Sequence, residues 1–414
     1  MEVTAVPGSN VPVPRRAHRL PWILAIGLLA IVVSLMVRNS SWARERRLKQ
    51  MDLEELALAI HDAPNDPLTF LYYGSALMEA KNYTAAENAF QRAVDLDPRS
   101  ARARIGLGSA QLRAGKVPEA RDTFEVAVRQ APKDPAAHFG LAQAYYQMGS
   151  PRRALPSLQK LTELQPNSAL AWYQLGKAYG DARQADQALL ALEKATQVDP
   201  KLSIAWRDLG QLYRHYSRIP EAEAAFTRAI QLQKEDPVAY YWLGQLYSEM
   251  ADDPKTRGKA EQCFLAALAR DPKMAEGYYE LGRLYERAGN YRAAIPRYRK
   301  SVELDPSNDK PLYHLGRCLV QVGERAEGQK LMKASQELRA ARFEVDNLEN
   351  RLRNDPNNRQ LHLRLGRVYR RYGNFEGALQ QYDLYQRLGP RDPAIDKEAV
   401  AYIKELQKQG LLPR

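Results

Sequence analysis

One interval governs most of this chain: a glycine, or a small stand-in for it, returns every 34 residues. Gly74 and Gly108 open the series, Ala142 takes the next beat, and Gly176, Gly210 and Gly244 keep the spacing. Gly282 arrives four residues late, Gly316 returns to 34, and Gly366 follows after a gap of 50. Other residues march in phase. Leucine stands one place before the beat at 107, 141, 175, 209, 243, 281, 315 and 365. Tyrosine stands three places after it at 145, 179, 213, 247, 285 and 369. Alanine stands twelve places after it at 86, 120, 154, 188, 222, 294 and 378. Most units close on a proline: Pro98, Pro132, Pro166, Pro200, Pro272, Pro306 and Pro390.

Each part has a physical reading. Apolar residues at helical spacing in both halves of the unit imply two amphipathic helices. The glycine lets their backbones approach, the alanine of the second helix fills the same narrow space, and leucine and tyrosine bury beside them. Aspartate-proline pairs such as Asp199-Pro200 stop the second helix, because proline clashes with the preceding turn. A lone helical hairpin cannot cover its apolar faces, so neighbouring units must stack to do it.

This pattern resembles the tetratricopeptide repeat, a family of 34-residue helix-turn-helix units. The resemblance is clearest at Trp172, Leu175, Gly176, Tyr179, Ala188, Ala195 and Pro200. Nine units are expected, beginning near residues 67, 101, 135, 169, 203, 237, 275, 309 and 359. The fifth and eighth lack the closing proline. The resemblance implies an all-α solenoid, a right-handed superhelix of hairpins, over 67–392. Residues 393–414 then read as a capping helix and tail, and 38–66 as a linker helix entering the array.

Two units depart from the pattern. The sixth carries four extra residues within "SEMADDPKTRGK", which read as a longer turn. In the eighth, no glycine or proline occurs from Gln329 to Asp355, so its second helix is expected to run over about 324–353. Leu331, Leu338, Val345 and Leu352 recur there every seven residues, with Ala334, Ala341 and Leu348 between them. That seam suits either packing on the ninth unit or, through Leu331, Leu338, Val345, Leu348 and Leu352, a homodimer or a docking helix.

The N-terminus is a different kind of sequence. Residues 1–19 are a basic tail expected to be disordered, and Leu20–Val37 is a charge-free run of 18 residues. That length is near the minimum for a membrane-spanning helix, and Trp22 and Trp42 flank it as interfacial anchors. A cleaved signal peptide is the rival, with small residues at Ser41 and Ala43, and would leave a secreted or periplasmic repeat protein. Against cleavage stand the length of the run and Arg38 behind it. Basic residues flank the span on both sides, so orientation stays open. Short loops and arginine-rich composition lean towards a bacterial inner membrane.

The net charge of +12 suggests an acidic partner until its distribution is seen. Residues 51–350 carry 40 basic and 40 acidic side chains, so no basic working face runs along the array and nucleic acid is not expected as a partner. The two cysteines, Cys263 and Cys318, exclude a disulfide framework, and the six histidines form no metal-ligand spacing, so neither metal nor cofactor is expected. No catalytic motif stands out, and repeats account for nearly all residues after 66, so the chain is read as a non-enzyme. Glycan or nucleic-acid binding along the solenoid wall is the alternative from another class.

A binding site must come from side chains the hairpins leave over. The resemblance implies a concave groove lined by the first helices. Position five gives Phe139, Tyr173, Arg207, Tyr241, Tyr279 and Tyr313, and position nine gives Gln143, Lys177, Gln211, Gln245, Arg283 and Arg317. An aromatic stripe beside amides and cations suits an extended peptide or partner helix. Trp172, by contrast, is assigned to the hairpin core. The lysine–asparagine set that grips chaperone C-termini in this family is missing. Arg364, Arg367 and Arg371 stack at helical spacing and read as a solvated cationic face, or else as a contact for acidic lipid or protein. The expected function is therefore a membrane-tethered scaffold that holds partner proteins or peptides, in the assembly of an envelope complex.

Overall fold

Asp134 and Pro135 show how this sequence starts a helix. The Asp134 carboxylate accepts a hydrogen bond from the Ala136 amide, and Pro135 takes the first turn, where its missing N–H is not needed. Asp66-Pro67 and Asp236-Pro237 repeat the device. The stops are equally regular. Helices end at Leu96, Val198, Arg270 and Leu304, two residues before Pro98, Pro200, Pro272 and Pro306. The same rule ends the long helix at Asn354, two residues before Pro356.

The computed structural model describes residues 41–408, which form 21 helices and no strand. The basic tail and the apolar run Leu20–Val37 lie outside the described residues, as do 409–414. Among the described residues, no helix is long and apolar enough to cross a membrane. The chain divides after Gln184 into two compact units. The first holds α1 (Ser41–Leu48), α2 (Leu53–Asp62), α3 (Pro67–Glu79), α4 (Tyr83–Leu96), α5 (Ala101–Arg113), α6 (Val117–Gln130), α7 (Pro135–Gln147), α8 (Pro151–Leu164) and α9 (Ala169–Asp181). The second holds α10 (Ala185–Val198), α11 (Ser203–His215), α12 (Ile219–Leu232), α13 (Pro237–Glu249), α14 (Pro254–Arg270) and α15 (Ala275–Arg287). It continues with α16 (Tyr291–Leu304), α17 (Asp309–Gln321), α18 (Arg325–Asn354), α19 (Arg359–Tyr372), α20 (Phe375–Arg387) and α21 (Pro393–Lys408). The stretch expected as a single linker helix thus contains two, the second opened by a capping box between Asp52 and Glu55.

The repeating glycine has a partner that the spacing alone does not name. A Cβ built on Gly74, Gly108, Gly210, Gly244, Gly282 or Gly366 would lie within 3.0 Å of an aromatic ring from the following helix. Those rings belong to Phe90, Phe124, Phe226, Phe264, Tyr298 and Tyr382, all buried. Two of them are wedged from both sides. Phe90 also faces Gly106, and Phe124 also faces Gly140, each on the first helix of the next hairpin. A ring held this way carries about 1.5–3 kcal/mol of burial energy and fixes the distance between consecutive hairpins. Gly316 differs: its Cβ would meet the Gly328 carbonyl at 2.6 Å, so there two backbones touch directly.

Two polar contacts then set the register between hairpins. The repeating tyrosine donates its hydroxyl to a glutamate on the preceding hairpin: Tyr145 to Glu125 at 2.8 Å, Tyr213 to Glu193 at 2.9 Å, Tyr285 to Glu261 at 2.6 Å, and Tyr369 to Glu349. A ring N–H at the fourth place of a unit reaches back to the proline carbonyl of the loop before it. Trp172 donates to Pro166 at 2.8 Å and Trp206 to Pro200 at 3.0 Å. His138 and His362 lie 2.9 Å from the Pro132 and Pro356 carbonyls, so Nε2 carries the proton in each.

The two irregular hairpins resolve differently from each other. The four extra residues at Ser248–Lys259 go mainly into helix: α14 has 17 residues where its counterparts have 14, and the turn gains only one. This corrects the expectation of a longer loop. In α18 the heptad seam is used within the chain. Val345 and Leu348 are buried against Leu361, Leu365 and Val368 of α19, with Leu352 packed beside them. Leu331 packs on the cluster around Tyr298 and Leu319. Of the five residues assigned to a dimer or docking seam, half-buried Leu338 lines an open cleft with Ala334, Glu344 and Arg371, and half-buried Leu352 lines another with Glu349, His362 and Tyr369.

Candidate functional site

In the second unit, α11, α13, α15 and α17 lie side by side, each touching the next. Their shared face gathers Arg207, Gln211, Tyr241, Gln245, Tyr279, Arg283, Tyr313 and Arg317, read from the sequence as groove-lining. It also gathers residues that positions five and nine did not supply: Arg214, Trp242, Glu280, Glu286 and His314. Arg214 and Glu286 hold the twelfth place of their units and Trp242, Glu280 and His314 the sixth, so extending the positional reading would have found them.

The polar groups interlock across helices. Arg214 of α11 donates to Gln245 Oε1 at 2.7 Å, lies 3.4 Å from Glu249, and stacks 5.0 Å from the Trp242 ring centroid. Gln245 Nε2 in turn donates to the Tyr241 oxygen at 2.7 Å, which leaves the Tyr241 hydroxyl proton for another acceptor. Arg207 pairs with Asp208 and Asp236, each at 3.1 Å. Arg283 pairs with Glu280 at 3.1 Å, and Arg317 lies 3.6 Å from Glu286. The Tyr279 ring meets both Tyr298 and His314 edge-on or tilted, within about 6 Å centroid to centroid. The hydroxyls of Tyr279 and Tyr313, and the indole N–H of Trp242, have no hydrogen-bond partner among the described residues.

Electrostatics separates two glutamates only six residues apart. Burial pushes the Glu280 carboxyl above its usual range despite Arg283. Burial pushes Glu286 upward too, but hydrogen bonds from His314 and from Tyr298, the latter at 2.6 Å, outweigh it and hold the carboxyl below its usual range. Burial, with Glu280 and Glu276 nearby, pushes the Tyr241 hydroxyl well up, so it stays a neutral donor. Burial also pushes the Cys263 thiol up to about 11 and Cys318 to about 12, which suppresses their thiolates.

The first unit contributes less than expected. Phe139 is half-buried and lines an apolar pocket of about 260 Å³ with Pro135, Ala136, Leu161 and Leu170, while Gln143 and Lys177 are exposed. Tyr173 is only 5% exposed, so it is core and offers no binding surface. Its neighbour Trp172, assigned to the core, is instead half-buried at the loop edge, where its N–H holds Pro166. The basic run near the C-terminus is corrected as well. Arg364 pairs with Glu344 at 2.7 Å and Arg367 with Glu398 at 2.9 Å, so these two join helices, while Arg371, the third of the expected set, is exposed beside the Leu338 cleft.

Known proteins give one firm result and several distant ones. The tetratricopeptide repeat model matches residues 74–135, 173–238, 257–309 and 331–393, more than half of the chain. A second tetratricopeptide repeat model matches 119–178 and 287–352. No curated protein matches the chain. Among solved structures, a chain of the APC/C hetero-tetramer Cut9-Hcn1 aligns at 18% identity and TM-score 0.48, over 64% of this chain. This chain spans about half (52%) of that one. YrrB, described as a TPR protein with an unusual peptide-binding site, aligns at 25% identity and TM-score 0.41, over 45% of this chain and 96% of its own. PilF of Pseudomonas aeruginosa aligns at 19% identity and TM-score 0.42, over 50% of this chain and 92% of its own. With the glycine-on-ring hairpins and the matched stretches together, the chain belongs to the tetratricopeptide repeat family.

Proposed function

We propose that this protein is a membrane-tethered scaffold that binds partner proteins or peptides on the first-helix face of its second unit. The observation that carries the reading is the row Tyr241, Tyr279 and Tyr313. These are half-buried side chains on three adjacent helices, set among interlocked polar groups with hydroxyl protons left to donate. Tyrosine gives large contact area for few rotatable bonds, and neighbours already fixed by hydrogen bonds lose little further entropy on binding. The charge-free run Leu20–Val37 supplies the tether in this reading, and the bound partners belong to an envelope complex that the scaffold helps assemble.

Affinity capture from detergent-solubilised membranes tests the reading. Wild type is compared with the triple variant Tyr241→Ala, Tyr279→Ala, Tyr313→Ala, after circular dichroism establishes that the variant is folded. Loss of specific partners from the variant is expected. Recovery of the same partners in the same amounts by both proteins would overturn the assignment of the face. Carbonate extraction tests the tether separately: the full chain should stay with membranes, and deletion of Leu20–Val37 should release it.

A further inference from the structure

Resting on that reading of the first-helix face, we propose that its ligand is an uncharged, proline-rich segment in polyproline II conformation, laid across α13, α15 and α17. Three independent features of the face select this chemistry.

The first is spacing. Tyr241, Tyr279 and Tyr313 stand on three adjacent first helices, one ring per helix. Packed helices lie about 8–10 Å apart. A polyproline II segment has three residues per turn and rises about 3.1 Å per residue, so it shows the same face about every 9.3 Å. One ligand turn per helix is thus within the range of spacings that packed helices adopt. An extended strand shows the same face about every 6.6 Å, which falls out of step with that spacing by the second helix.

The second is hydrogen-bond polarity. The unused groups on the face are mainly donors: the hydroxyl protons of Tyr241, Tyr279 and Tyr313 and the indole N–H of Trp242, beside the Gln211 amide, which offers both a donor and an acceptor. Proline lacks an N–H, and polyproline II makes no internal hydrogen bonds, so such a segment presents carbonyl acceptors and almost no donors. A donor-lined face and an acceptor-only ligand satisfy each other.

The third is charge. Arg207, Arg214, Arg283 and Arg317 are each already paired with a carboxylate from their own or a neighbouring helix. An acidic or basic ligand would have to displace those pairs, whereas a neutral one leaves them intact. The aromatic surfaces remaining between the pairs suit the flat faces of proline rings.

The test uses the full chain in detergent and a capped, uncharged peptide of about fifteen residues, about five polyproline II turns. Its affinity is measured by titration calorimetry. An alanine-for-proline peptide and an acidic peptide of the same length serve as comparators. The proline peptide should bind saturably, at least tenfold more tightly than either comparator, with little change on raising the salt. Tyr279→Phe with Tyr313→Phe keeps both rings and should keep the melting temperature, yet weaken binding by about three- to tenfold per hydroxyl. Absence of saturable binding, equal affinity for the alanine peptide, or full affinity in the double phenylalanine variant would overturn the proposal. Failure here is distinguishable from failure of the broader reading. If protein capture still depends on the tyrosines while the proline peptide does not bind, the face stands and the ligand class falls.

Discussion

Gly140→Ala should destabilise the first unit, although alanine is by far the better helix former. Gly140 lies within α7, where intrinsic propensity alone favours alanine by about 1 kcal/mol. A Cβ at this position would fall 2.2, 2.4 and 2.6 Å from three atoms of the Phe124 ring, which is only 1% exposed. The ring has little room to retreat, because the Gly108 backbone lies on its other side, so near that a Cβ built there would come within 2.9 Å of the ring. Overpacking of a closed core costs about 1–3 kcal/mol, and contacts this short belong at the top of that range or beyond. The net loss is then about 2 kcal/mol, or about 4–8 °C in Tm for a unit of this size. Gly180 of α9 is the matched control, since nothing lies within 4 Å of its added Cβ. Gly180→Ala should leave Tm unchanged or raise it slightly. Thermal melts followed at 222 nm give both values, and Phe124→Leu added to Gly140→Ala should recover part of the loss by shortening the wedge. A Gly140→Ala protein that melts at or above wild type would refute the wedge argument.

Other outcomes follow from the same contacts. Leu348→Ala should cost about 2–5 kcal/mol as a buried cavity and lower hydrogen-exchange protection in α19 and α20. Phe343→Ser, on the same helix but 74% exposed, should change stability by less than about 0.5 kcal/mol. Tyr285→Phe removes the hydroxyl bonded to Glu261 and should cost about 0.5–1.5 kcal/mol by urea titration. The two opposed glutamates predict opposite pH behaviour. Glu286, held low, contributes stability above its unfolded value of 4.5 that is lost as pH falls through its folded value. Glu286→Gln should therefore lower Tm at neutral pH, with the difference shrinking on acidification. Glu280, pushed high, weakens the fold once pH rises above 4.5, so Glu280→Gln should raise Tm at neutral pH and lose that gain towards acid.

The sequence made the hairpin legible because its small residues are phase markers. Gly74 or Gly210 can be recognised without knowing what sits upon it. The ring upon it was harder to see, since the place sixteen residues after the glycine holds Phe90, Phe124, Phe226, Tyr298 or Tyr382 in some units and a non-aromatic residue such as Leu158 or Met332 in others. Position on a helix also does not report how much of a side chain the next hairpin covers. That is why adjacent residues exchanged roles: Tyr173 is core, while Trp172 sits at a loop edge with its N–H on Pro166. The heptad of α18 shows the same limit. Apolar residues every seven places require a partner helix but not its identity, and here the partner of Val345 and Leu348 is α19 of the same chain. Charge spacing misled similarly at Arg364 and Arg367, whose carboxylate partners lie on other helices.

Function depends on which face of the hairpins is used. Along the second unit the first helices carry tyrosines with hydroxyl protons to donate, and the second helices expose isolated leucines such as Leu190 and Leu265. A photo-crosslinking residue placed at Tyr279, and separately at Leu265, discriminates directly between the faces in intact cells. Adducts with partner proteins from position 279 and none from position 265 are predicted. Adducts from position 265 alone would place the working surface on the second helices and contradict the assignment.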